Sequence, residues 1–203
     1  MNQAKIRLSA TEMELVQNAD IILTKNVILQ KVQQLLGRTA TAQQYFLQQH
    51  SDRWPGAVTN TSPKISKGEN YRGLPYMVLD YPRLFEKGSI MAVRTMFWWG
   101  HFFSITLQLS GSYKTLYTEA VSNEYAVWCE NGFYYCINED PWEHHFEEEN
   151  YRPVVTLSHH QFAGLLREKP FIKLARKIPL HQWDDADSLL PDAFRLIMEK
   201  LSG

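Results

Sequence analysis

The chain has 203 residues, with 21 Lys/Arg against 22 Asp/Glu and a formal net charge of −1. Its content of 44% hydrophobic and 13% aromatic residues is enough to bury a core without disulfides or metal, which excludes a disordered chain. The near-zero charge removes any global attraction to nucleic acid or anionic lipid, and the length suits a single α+β domain, 1–203.

The first residues carry no apolar leader core, and the longest apolar-rich run, Met96–Phe103, is interrupted at Gly100 and His101. Neither a cleaved signal nor a membrane-spanning helix is expected, so a cytoplasmic location follows as the default. Ser9 and Glu12 form a capping-box pattern, after which Leu15, Val16, Ala19, Ile22 and Leu23 recur at helical spacing. A bend is expected over 24–26, a stop at Gly37 and a shorter helix over 41–49, giving N-terminal helices within 9–49.

Residues 51–73 have little periodicity and many turn formers, which predicts a long loop. It reads either as an ordered binding loop or as a linker from helices to sheet. Strands are expected at 74–80, 90–99, 101–109, 124–130 and 133–138, with 113–121 ambiguous. Ser158 and Gln161 make a second capping box, opening C-terminal helices over 158–202 that include a short one at 171–177 and a last one starting near Pro191. Helices, then hairpins, then helices predict an antiparallel sheet of about five strands packed against terminal helices.

Cys129 and Cys136 flank Asn131 and Gly132, a strong hairpin signal. In that hairpin the two thiols would sit diagonally, with Cβ atoms roughly 7 Å apart. A disulfide needs about 3.5–4.5 Å, so two free thiols are expected, as in a reducing cytosol. Charge is uneven: residues 119–150 hold nine acids and no Lys or Arg. That stretch is either a solvated rim facing basic residues of the same fold or a docking surface for a basic partner.

The most specific segment is Arg94–Phe103, where five aromatics surround Gly100 and His101. Glycine first in a two-residue turn suits type II′ and pairs Trp99 with Phe102. Arg94 then lies among Ala92, Met96 and Ile105, where a charge that cannot be lost needs a partner. Asp80 is the nearest carboxylate on the preceding strand. The pair would fix strand register; alternatively Arg94 offers its fork to an anionic ligand, or a slipped register places it in water. Aromatics on the other face of this hairpin would, if bare, favour a homodimer.

The residues from Trp142 to Glu149 include His144, His145, Glu148 and Glu149, which on a helix would share faces at i, i+4, a spacing able to hold a divalent ion. The familiar helical zinc pattern is absent, and no phosphate loop, nucleophile elbow or nucleic-acid-binding motif occurs. The residues therefore point to a non-catalytic domain without cofactor or metal. It would bind a small ligand or a protein partner in a groove between 51–73 and the 90–109 hairpin. Tyr71, Arg72, Asp80, Arg94, Trp99 and His101 would line that groove. The rival reading is an enzyme, either hydrolase-like with Asp80 and His101 as acid and base and Arg94 as stabiliser, or metal-dependent through the His144–Glu149 cluster.

Overall fold

The computed structural model describes residues 6–202. Along them run α1 (Ala10–Gln17), α2 (Ala19–Gln49), α3 (Gly56–Thr59), β1 (Lys64–Tyr71), β2 (Leu74–Glu86), β3 (Ser89–Trp98) and β4 (Phe102–Ser110). There follow α4 (Gly111–Asn123), α5 (Tyr125–Glu130), β5 (Phe133–Cys136), β6 (Tyr151–Pro153), α6 (His159–Glu168), β7 (Phe171–Pro179) and α7 (Ala186–Ser202). The class is α+β, with one antiparallel sheet of seven strands rather than five, in the order β1-β2-β3-β4-β7-β5-β6.

Each strand of the sheet's centre is apolar on one face, and that face carries the main core. Leu79, Val93, Ile105 and Leu174 pack there against Leu36 of α2, Val121 of α4, Phe162 of α6 and Phe194 of α7. The opposite face is mixed. It bears Val78, Met96, Trp98 and Phe102 near the β3–β4 turn, and Asp80, Arg94, Thr106 and Lys173 further along. Residues 137–150, which have neither helix nor strand, lie across this second face as a strap whose Phe146 touches both of its apolar clusters.

Several expectations are corrected. The β3–β4 connection is three residues, not two, because Trp98 pairs with Phe102 and His101 N–H donates to the Trp98 carbonyl. One extra residue reverses the faces of β4. Arg94 therefore shares its face with Thr106, while Ile105 lies on the other side. The opposite face of the hairpin, Met91, Val93 and Phe97, is buried in the main core and is not bare for self-association.

Residues 51–73 are not a long loop. They hold a short 3-10 turn, α3 and β1, and Tyr71 pairs with Leu74 across Arg72 and Gly73. Both turn residues have positive φ, 51° and 85°, the geometry that a two-residue turn between twisted strands demands. Strand β1 escapes a period-two reading because it is a sheet edge carrying Lys64, Lys67 and Glu69, charges that discourage pairing with another chain.

Residues 124–130 are not a strand: 125–130 form α5, and Gly132 follows it with φ 66°. Asn131 and Gly132 thus end a helix, since a left-handed glycine serves helix termini as well as hairpins. Residues 171–177 are not a helix but most of β7, which sits between β4 and β5. The first long helix breaks at Asn18, whose side chain caps α2, and then runs through 24–26 and Gly37 without a stop. The ambiguous 113–121 falls inside α4. Both cysteines are free, as expected, although they do not share a hairpin.

Candidate functional site

Asp80 on β2 is the register partner of Arg94 on β3. The guanidinium grips it with two bonds, Nε to Oδ1 at 2.7 Å and Nη2 to Oδ2 at 2.9 Å. This is the internal pair that the sequence suggests. The third nitrogen, Nη1, lies 3.1 Å from His144 Nε2. A guanidinium can only donate, so Nε2 accepts and His144 is neutral, with its proton on Nδ1. Burial, and then the charges of Lys173 and Arg94, hold its pKa well below the ordinary imidazole value.

The strap is held by its backbone. The Tyr71 hydroxyl accepts from the N–H groups of His144 (2.7 Å) and His145 (3.0 Å) and donates to Glu143 Oε2 at 2.9 Å. Burial pushes the Tyr71 pKa up to about 12. Lys173, wholly buried on β7, donates from Nζ to the Glu143 carbonyl and passes 5.4 Å from the Tyr151 ring. Burial pushes its pKa down to about 8.

At the β3–β4 end the same face opens. His101 is exposed and stacks on Trp98 with ring centroids 3.6 Å apart and planes at 10°. These two, with Phe102, Phe146, buried His145 and exposed Lys177, line an open pocket of about 330 Å³. Lys177 Nζ lies 5.6 Å from the Phe146 ring and has no ion pair among the described residues. Arg72 sits at the rim, bonded at 2.8 Å to Glu147.

Of the six residues expected to line a groove, Tyr71, Asp80 and Arg94 gather under the strap, and Arg72 and His101 stand at the pocket end. Trp99 does not join them: it packs against the main core, beside Phe97. The hydrolase-like trio does not assemble. His101 lies beyond Trp98, which is four residues along β3 from Arg94, about 13 Å at strand rise.

Residues 142–149 form no helix, so the i, i+4 faces on which His144 with Glu148 and His145 with Glu149 would meet do not arise. His144 is turned to Arg94, and the donor atoms that converge are instead those of His145, Glu147 and Glu149, all within 4.8 Å of one another. Sequence reasoning missed Lys173, Phe146 and Lys177. For the two lysines a signal existed: Phe171, Lys173, Ala175 and Lys177 alternate with Ile172, Leu174 and Ile178, a strand pattern interrupted at Arg176.

The chain matches no protein-family model, no curated protein and no solved structure.

Two outcomes test this description. Arg94→Met leaves the Asp80 carboxylate without its fork, and chemical denaturation should show a loss of about 3 kcal/mol, partly recovered by adding Asp80→Asn. An unchanged denaturation midpoint would mean that the pair does not hold the strands. His144 is neutral in the folded state, so below pH 6.5 the unfolded chain takes up a proton that the folded one does not. Stability should therefore fall with pH from about 6.5 downward, by about 1 kcal/mol per unit, and His144→Gln should flatten that slope when followed by denaturation at pH 7 and 5.5.

Proposed function

We propose that the protein is a cytoplasmic, non-catalytic binding domain that takes a small planar anion in the pocket where the strap meets the β3–β4 turn. The observation that carries the reading is the set of groups gathered there: the Trp98–His101 stack, the rings of Phe102 and Phe146, and the free ammonium of Lys177. Stacked and edge-on rings accept a flat ligand, and an unpaired cation at the rim selects a carboxylate or phosphate. The acid of this pocket, Glu147, is already neutralised by Arg72, so the remaining charge is positive. Apolar walls with a few placed polar groups are the usual make-up of ligand sites. Free Cys129 and buried free Cys136 support a reducing compartment, and no described helix is long and apolar enough to cross a membrane.

A panel of aromatic carboxylates and phosphates, followed by thermal shift and titration calorimetry, tests the reading. At least one should bind, and Lys177→Met and His101→Ala should each weaken it about tenfold without lowering the melting temperature of the free protein. Variants that bind as tightly as the wild type would sink it.

One further observation favours a second reading. The convergence of His145, Glu147 and Glu149 offers imidazole and carboxylate donors that suit zinc or manganese. Zinc or manganese should then raise the melting temperature and stay with the purified protein, and His145→Ala should abolish both effects. Blank results with both metals end this alternative.

A further inference from the structure

The pocket at the β3–β4 turn has two walls that come from parts of the chain far apart in sequence. One belongs to the hairpin, where His101 lies on the Trp98 indole. The other belongs to the strap, which supplies buried His145, half-buried Phe146 and exposed Glu147. A cleft for a flat ring is only as selective as the separation of its walls. A gap of about 0.5–1 Å already forfeits a quarter to a half of the contact energy.

Tyr71 touches both walls. Its ring meets the Trp98 indole edge-on, with centroids 5.0 Å apart and planes at 68°. Its main-chain carbonyl accepts from Trp98 Nε1 at 3.2 Å. Its hydroxyl reaches the strap immediately before Phe146, accepting from the N–H groups of His144 and His145 and donating to Glu143. A phenol has one proton to give and two lone pairs to offer, and here all three are used. With its pKa pushed up to about 12 by burial, the hydroxyl keeps its proton across the neutral range. Between the two ends lies one stiff side chain with two torsions. Among the described residues, no other bonds both the Trp98 side chain and the strap.

The surroundings hold Tyr71 and the strap in turn. Tyr71 ends β1 and pairs with Leu74 across a two-residue turn. Beyond Phe146 the strap has separate ties, from the Asn150 amide to the His145 carbonyl and from Tyr151 N–H to the Glu147 carbonyl at 3.0 Å. Arg72 adds its bond to Glu147, an exposed pair of small weight.

We propose that Tyr71 is the residue that sets the selectivity of this pocket: by fixing the strap relative to Trp98 it admits flat rings and rejects thicker rings of the same charge. This inference rests on the reading of the pocket as a site for a planar anion. Two matched pairs of probes test it by titration calorimetry, benzoate against cyclohexanecarboxylate and phenyl phosphate against cyclohexyl phosphate. The wild type should favour the flat member of at least one pair by ~10-fold or more. Tyr71→Phe keeps the ring on Trp98 and the carbonyl bond, and should bring that ratio within ~3-fold. Lys169→Met frees the carbonyls of Ile137 and Asn138 at the far end of the strap. It should lower the melting temperature and leave the ratio as in the wild type, which separates selectivity from stability. Hydrogen exchange needs no variant: in the wild type the amides of His144 and His145 should exchange as slowly as those of β3. Fast exchange at both amides, or a Tyr71→Phe protein that keeps the wild-type ratio, overturns the proposal while the pocket reading stands. A wild type that binds no planar anion ends both.

Discussion

The sheet has two buried faces but helices for only one, and the other must be closed by chain that makes no helix or strand. Such a segment bonds little of its own backbone, here Ile137 N–H to Asn150 O and Asn150 N–H to Glu147 O, yet buried N–H and C=O groups left alone cost about 1–3 kcal/mol each. Side chains therefore do the work. Lys169 donates to the carbonyls of Ile137 (2.7 Å) and Asn138 (3.3 Å). Lys173 takes that of Glu143, the Tyr71 hydroxyl takes two N–H groups, and the buried Asn150 amide donates to His145 O at 2.5 Å. Phe146 supplies the apolar part, meeting Phe102 and Tyr134 edge-on at 5.0 Å and stacking on Tyr151 at 4.6 Å.

Much of the polar chemistry on this face follows from that constraint. Arg94 is committed to Asp80 and His144, and Tyr71 and Lys173 to the strap. Groups so engaged hold geometry. At the hairpin end, among the described residues, the rings of Trp98, His101 and Phe146 and the unpaired Lys177 line one open pocket together. The reading of a binding site rests on that difference between satisfied and unsatisfied groups, a difference that residue types alone do not reveal.

What was legible in the sequence was local. The capping boxes at Ser9 and Ser158 form as read, because each needs only residues three apart. The need of Arg94 for a carboxylate was also legible, since a guanidinium facing inward between Ala92 and Met96 needs a partner. The faces of β4 were not, because they turn on a single residue of turn length at Gly100. Strand β7 showed in the sequence only an alternation that Arg176 interrupts. Buried on both sides in the middle of the sheet, it depends on contacts with β4 and β5 that lie far away in sequence. Asn131 and Gly132 show a third case, where one backbone geometry serves two structures and only packing chooses between them.

Lys173 illustrates why a charge survives in such a place. A methionine of similar length would fill the space but leave the Glu143 carbonyl without a donor. The lysine stem instead runs beside the Tyr151 ring and its ammonium reaches that oxygen. Burial works against the charge, Arg94 opposes it further, and the acids Asp140 and Glu143 favour it. The strap brings both of those acids. Two of its other four carboxylates pair with cations from neighbouring elements, Glu139 with Lys169 and Glu147 with Arg72. Of the nine acids in 119–150, Asp140 and Glu143 thus favour the charge of Lys173 on the covered face, while Glu139, Glu147 and Glu124 pair with Lys169, Arg72 and Lys200 outside it. Lys173 is the sheet cation that this acidic cover meets, and its bond to the Glu143 carbonyl ties the strap to that face.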